Sequence, residues 1–293
     1  MGDVVIPPFN PAKIPPARTL LLVGKRNTGK TTLLTALCYF RRKMTFGIAV
    51  VGSIGSRLAI QKFHPDTYIY EGYNEQELAE FWANVKRMNG RRRRNNQQMY
   101  DCYLLLDDTG FDDRMWRSPT LKEMMMNGRQ YHLTLIMCMQ YMKGLQPSMR
   151  AQVDYLLILA EKSPEMLDRL WTCFTGGIFP DKPTFRKVLN KCTQNYKCLV
   201  IKNVDIKHKK NEVFDGAVEY YRAPKNMPRF RIGCRSMWVR HFQKYNEHYE
   251  SEEEESGGTA FTASSTRKGK TNEVNVYCEK PKNKKTRGKR RRQ

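Results

Sequence analysis

The sequence predicts an α/β fold with a mainly parallel central sheet flanked by helices on both faces. Three observations carry that expectation. Short apolar runs alternate with stretches of helical periodicity, the order that builds crossover connections between parallel strands. The segment Gly24–Thr31, "GKRNTGKT", stands between the first apolar run and the first helical stretch. A later run, "YLLLDD", ends on two carboxylates, which places them where open sheets bind ligands, at the C-terminal edge.

Taken in order, residues 1–17 are rich in proline and read as an extended arm, lying on the surface or reaching a neighbour. Thr19–Val23 is an apolar strand. After the glycine-bearing loop a helix runs to about Arg42, with Leu33, Leu34, Leu37 and Cys38 at helical spacing. Phe46–Val51 is a second strand ending in "GSIGS", and Thr67–Tyr70 is a short third one. Asn74 caps a helix to about Met88, with Glu77 at the capping-box position. "NGRRRRNNQQ", residues 89–98, reads as a polar basic loop. Tyr103–Leu106 is a buried strand leading into Asp107 and Asp108. Ser118 and Pro119 serve as cap and first residue of a helix that Asn127 and Gly128 close. Leu133–Met139 and Tyr155–Leu159 are further strands, with helices at about 164–175 and 183–192 after them. "YKCLVIKN" and "AVEYYRA" supply late strands. After about Asn246 the periodicity stops. A main domain over 18–249 and a disordered, acidic-then-basic tail over 250–293 are therefore expected.

Composition narrows the function. The 293 residues are 40% hydrophobic, with 13 Phe, 15 Tyr and 4 Trp, enough to fill one large core. The net charge of +23 points to a polyanionic partner such as nucleic acid or an acidic membrane surface. That charge is spread along the chain: residues 256–293 carry a net +10 and the rest +13. Eight cysteines lack regular spacing and no basic-then-apolar signal segment opens the chain, so reduced thiols in an intracellular compartment are expected. Cys234, His241 and His248 read as incidental rather than as zinc ligands. No apolar run approaches the roughly 18 residues of a membrane span.

The loop Gly24–Thr31 fits G-x-x-x-x-G-K-[ST] in its proper strand–helix context. Gly24, Lys25, Arg26, Asn27, Thr28, Gly29, Lys30, Thr31 and Thr32 form the expected nucleotide cradle. The glycines let backbone N–H groups turn onto phosphate oxygens, and the helix N-terminus adds its dipole. Lys30 is expected to reach the β- and γ-phosphates of ATP, and the Thr31 hydroxyl to bind Mg²⁺. Asp107 is placed to hold Mg²⁺ through water, and Asp108 to polarise the attacking water. Asp107 to Gly110, "DDTG", also fits the D-x-x-G of GTPases. Those enzymes read guanine with N-K-x-D, however, and Thr193 stands where Asn190 and Lys191 would require the Asp. The apolar strand over Leu133–Met139 ends in Gln140; if it lies beside the loop strand, Gln140 points at the γ-phosphate. Arg129 and Arg150 flank that strand, either as surface arginines or as groups reaching a phosphate on a neighbouring subunit.

The order GxxxxGKT, "TYIYEGYNEQEL", LLLDD, NGR, an apolar strand ending in Gln, "LQPSMRAQVDYLLIL" and "YKCLVI" resembles the genome-packaging ATPases of nucleocytoplasmic large DNA viruses. The poxvirus-type packaging ATPase is the named branch it looks like, within the RecA-like FtsK–HerA superfamily of DNA-pumping motors. The resemblance covers about residues 17–233. It implies a P-loop ATPase fold, Gln140 as sensor, Arg129 or Arg150 as a finger acting in trans, and a homo-oligomeric ring of five or six subunits around double-stranded DNA. It also implies capsid-vertex or inner-membrane components as partners, and action in the infected cell, in a cytoplasmic virus factory or the nucleus, or in the virion. One departure is Gln130, where the family usually has His after Gly-Arg.

The expectation is thus a Mg·ATP-driven translocase that packages viral DNA, with Arg91–Arg94 and the basic body facing the duplex. Two readings from other classes stand beside it. A nucleotide or nucleoside kinase would need an arginine-rich lid and ignore DNA. A non-catalytic DNA-binding protein would have no use for an intact Lys30, Thr31 and Asp107. DNA-stimulated ATP hydrolysis separates the three.

Overall fold

The computed structural model describes residues 5–110, 112–141, 144–204 and 213–244. The tail expected over 250–293 and His248 lie outside them. The chain divides into two compact units, 1–233 and 234–293. In the second, residues 235–244 are helical.

The first unit is built on one eight-stranded sheet. Its strands are β1 Thr19–Val23, β2 Phe46–Val51, β3 Ile69–Glu71, β4 Cys102–Asp107, β5 Leu133–Met139, β6 Tyr155–Ile158, β7 Lys197–Lys202 and β8 Val218–Arg222. Their order is β3-β2-β4-β5-β1-β6-β7-β8. The strands from β3 to β6 in that order run parallel; β7 pairs antiparallel with β6, and β8 antiparallel with β7. The helices are α1 Lys30–Phe40, α2 Ile54–Ile60, α3 Glu75–Arg94, α4 Asp113–Arg117, α5 Pro119–Asn127, α6 Pro147–Arg150, α7 Pro164–Leu170 and α8 Lys182–Cys192.

Both faces of the sheet are covered, which explains why its strands read as continuous apolar runs rather than as alternation. Leu20 and Leu22 of β1 enter one core, with Leu33, Leu34 and Leu37 of α1 and Ile60 of α2. Leu21 and Val23 enter the other, with Trp82 and Val85 of α3, Leu121 of α5 and Phe185 of α8. The predicted α/β architecture with helices on both faces is the one found.

Four local expectations need correction. The segment after β2, read as a glycine-rich turn, contains α2; the Ser53 side chain accepts from the Ser56 N–H as its cap, and buried Ile60 anchors it. The basic "loop" over 89–98 is helical through Arg94. Asn89 is buried there, donating from Nδ2 to the carbonyls of Tyr100 (2.9 Å) and Tyr131 (2.6 Å). Straight-chain arginines extend the helix readily, and their charge suits its C-terminal end. The helix expected to reach residue 175 is α-helical to Leu170 and π-helical over Trp171–Thr175. The N-terminal arm lies along β8 of its own chain: Phe9 N–H donates to Tyr220 O (2.7 Å) and Tyr220 N–H to Pro7 O (3.0 Å). Phe9 and Ile14 are buried in the α1-side core.

Candidate active site

Strand β1 carries the chain to the C-terminal edge of the sheet, and the loop after it is fixed by local chemistry. Gly24 N–H donates to Met139 O (3.1 Å). A Cβ at Gly24 would lie 2.8 Å from Leu159 Cβ, so no side chain fits there. Gly29 has φ +97°, a left-handed conformation that glycine adopts without penalty, and it caps α1. The Thr28 hydroxyl donates to Lys25 O (2.7 Å), closing the loop on itself. Gly24 and Thr28 thus shape the loop from behind. Lys25, Arg26, Asn27, Gly29, Lys30, Thr31 and Thr32 line a cleft of about 900 Å³.

The sheet order sets three strand ends side by side above this loop. Strand β5 lies between β4 and β1, with Asp107 opposite Cys138 and Met139 opposite Val23. The condition attached to Gln140 in the sequence is therefore met. Asp107 is only 1% exposed. Burial pushes its carboxyl pKa up, against a hydrogen bond from Ser56 and the charge of Lys30. Asp108 has φ +58°. Gln140 Nε2 donates to its Oδ1, and Lys30 Nζ stands 4.0 Å from the same oxygen.

Three polar atoms of the described cleft lining are buried with no hydrogen-bond partner: Lys30 Nζ, Asp107 Oδ1 and, away from the phosphate loop's lysine, the Tyr221 hydroxyl. A buried ammonium with ion pairing but no hydrogen bond, and a buried carboxylate oxygen with no donor, are costly in one cleft unless something joins them. A phosphate suits Lys30 and a hydrated divalent cation Asp107, and exposed Thr31 belongs to the same cleft lining. The residues present fit a Mg²⁺-bound nucleoside triphosphate.

The structure therefore brings Lys30, Asp107, Asp108 and Gln140 together with the loop. It does not bring Arg129 and Arg150 there. Arg129 precedes β5, at the opposite edge of the sheet, and its Nη2 pairs with Asp154 just before β6. A seven-residue strand separates that edge from the cleft, on the order of 20 Å. Arg150 ends α6 and donates from Nη1 to Cys173 Sγ (3.0 Å) in the π-helical turn.

Several cleft residues escaped the sequence reading. Ser53 caps α2 and Ser56 lies in its first turn, a helix that the glycines of "GSIGS" disguise. Behind the lining, buried Glu161 pairs with Lys25 Nζ at 3.0 Å and accepts from the Lys162 and Ser163 N–H groups at 2.8 and 2.7 Å. An acid closing the run "LLILAE" was a usable signal for it. Tyr196, Arg222 and Lys225 also line the cleft; no local pattern in the sequence marks them.

Residues 16–172 match the model of a family described as Poxvirus A32 protein. An uncharacterized protein, L437, of Acanthamoeba polyphaga mimivirus is 26% identical over 236 residues, covering 79% of this chain and 81% of its own. Uncharacterized protein 075L of Invertebrate iridescent virus 6 is 26% identical over 232 residues, 78% of this chain and 87% of its own. Among solved structures, the genome packaging NTPase B204 of Sulfolobus turreted icosahedral virus 2, in complex with AMP, aligns with a TM-score of 0.50 at 16% identity. That alignment covers 72% of this chain and 100% of B204, and it concerns the fold.

Proposed function

Because the chain belongs to the Poxvirus A32 protein family, we propose that it is an ATP-driven motor that translocates double-stranded DNA into a viral capsid. The observation that carries the reading is the convergence of Lys30, Asp107, Asp108 and Gln140 on one cleft, with Lys30 Nζ and Asp107 Oδ1 buried and without hydrogen-bond partners.

When bound, Mg·ATP supplies the phosphoanhydride to be broken and a cation that offsets its charge. Lys30 and the loop N–H groups hold the phosphates, and Thr31 and Asp107 hold the metal. Gln140 engages Asp108 Oδ1, leaving Oδ2 to take the proton of the attacking water. Because Gln140 follows the last residue of β5 directly, a change at Asp108 is passed into the central strand of the sheet. Any role of Arg129 or Arg150 in the reaction would be at a neighbouring subunit's cleft, which requires the ring of subunits.

The edge opposite the cleft offers a surface for duplex. Arg91, Arg93 and Arg94 are exposed on the last turn of α3. Asn89 ties that turn to the residues that lead into β4 and β5. Arg129 is exposed there too, and exposed Arg42 and Lys43 precede β2. Lysines and arginines so placed bind phosphates regardless of sequence.

The test is steady-state ATP hydrolysis by the full chain with and without linear duplex DNA. Stimulation by duplex is expected. Turnover indifferent to DNA, or phosphate transferred to a nucleoside, would replace the motor reading with a kinase.

A further inference from the structure

The cleft is larger than its phosphate end requires. Beyond the loop its wall passes to Leu159, Tyr196, Tyr221, Arg222 and Lys225. Tyr196 is 70% exposed, although it lies between buried Thr193 and buried Cys198. Asn195 and Tyr196 are both left-handed, with φ of +56° and +58°. Asparagine tolerates that conformation; for a bulky aromatic residue it is an outlier. The strain buries nothing, since the ring stays in solvent. Its effect is positional. A Cβ on Gly29 would sit 3.5 Å from Tyr196 Cδ1, so the ring edge borders the start of α1 beside the phosphate loop. Exposed Arg222 and Lys225 share this wall.

A flat, exposed π-face next to a phosphate cradle suits one part of a nucleotide. We infer that Tyr196 is the stacking platform for the nucleotide base, the residue by which the cleft favours a nucleoside triphosphate over bare triphosphate. Base–aromatic stacking contributes about 1–3 kcal/mol per base, roughly 5- to 150-fold in affinity, and is tolerant of base identity. Tyr196 therefore selects for the presence of a base, not for adenine over guanine. This assignment rests on the nucleotide reading of the cleft, and the test separates the two.

Full-length protein is titrated calorimetrically with Mg²⁺ and three probes: a non-hydrolysable ATP analogue, the matching GTP analogue and inorganic tripolyphosphate. The wild type is compared with Tyr196→Ala and Tyr196→Phe. Tyr196→Ala should weaken both nucleotide analogues about tenfold, in parallel, and leave tripolyphosphate within about twofold; Tyr196→Phe should bind all three as the wild type does. Equal loss of nucleotides and tripolyphosphate would make Tyr196 a prop for the loop and overturn the assignment. Unchanged nucleotide binding in Tyr196→Ala would overturn it as well. A wild type that binds no probe would overturn the nucleotide reading itself.

Discussion

Replacing Asp107 with Asn should make the ligand-free protein more stable and the ligand-responsive protein less so. Asp107 is almost fully buried, and its Oδ1 has no partner. Leaving a buried charged group unsatisfied costs about 1–3 kcal/mol or more. Asparagine has the same shape and can still accept from Ser56, but it carries no charge to desolvate. The attraction of Lys30 for Asp107 is lost, which takes back part of the gain. A net increase of about 1 kcal/mol is expected, or about 2–4 °C in Tm for a unit of this size. Burial raises the folded pKa of Asp107 above its unfolded value. Its contribution to stability is therefore present below the unfolded pKa and lost as pH rises through the folded one. The advantage of Asp107→Asn should accordingly vanish in acid and open as pH rises to neutrality. A ligand at 100 times its Kd stabilises the wild type by about 2.7 kcal/mol, and the variant should lose the Mg²⁺-dependent part of that shift. The assay is thermal unfolding of the full chain without ligand, with ATP and chelator, and with ATP and Mg²⁺. A variant with a lower ligand-free Tm and a full Mg²⁺-dependent shift would refute both the burial argument and the metal role.

Three other outcomes test different parts of the molecule. Asp108→Asn should bind ATP yet lose about 10²- to 10⁴-fold in hydrolysis, the usual contribution of a general base; undiminished turnover removes Asp108 from that role. Glu75 accepts from the hydroxyls of Ser118 (2.6 Å) and Thr120 (2.5 Å), joining the start of α3 to the start of α5. Burial alone would raise its carboxyl pKa, but donors from Ser118, Thr120 and Tyr73 outweigh that and hold it low. Glu75→Ala should cost about 1.5–3 kcal/mol at neutral pH. Because this folded pKa is depressed, the wild-type advantage should fade as pH falls through it, as denaturant melts across pH would show. Replacing Arg91, Arg93 and Arg94 together by Ala should flatten the dependence of log duplex affinity on log salt by about 2–3 units, at roughly 0.9 for each phosphate no longer neutralised. An unchanged slope would place the duplex elsewhere.

Much of this architecture was legible because the strands are buried on both faces. Thr19–Val23, Phe46–Val51 and Leu133–Met139 read as strands, and the structure holds them at those bounds. Asn74 and Ser118 announced two helices through cap chemistry that does not depend on the rest of the fold. The errors fell where tertiary contacts override local signals. Two glycines hid α2, whose anchor Ile60 is visible only once the core exists. Asn89 and Gly90 suggested a loop, yet Asn89 is an interior bridge to two distant carbonyls. In the cleft, the cradle and the two aspartates could be located because each lies beside its strand in sequence. The position of β5 between β4 and β1, which sets Gln140 against Asp108, is a property of strand order. The length of β5 carries Arg129, near Gln140 in sequence, to the far edge, and strand order decides that it meets Asp154 there.

The pairing of the arm with β8 has a consequence for how the chain acquires its shape. Pro7 to Phe9 zip against Tyr220, more than 200 residues downstream. Contacts of such long sequence separation are slow to form, because a large loop must close before they repay its entropy. During synthesis residues 7–9 must wait for β8, the last of the eight described strands to be made. Until then Phe9 and Ile14 have no finished surface to cover, and the edge of the sheet is a free template for another nascent copy. The proline-rich composition of the waiting segment lessens that hazard, since proline supplies no donor for strand pairing. The arm then protects the β8 edge once it arrives.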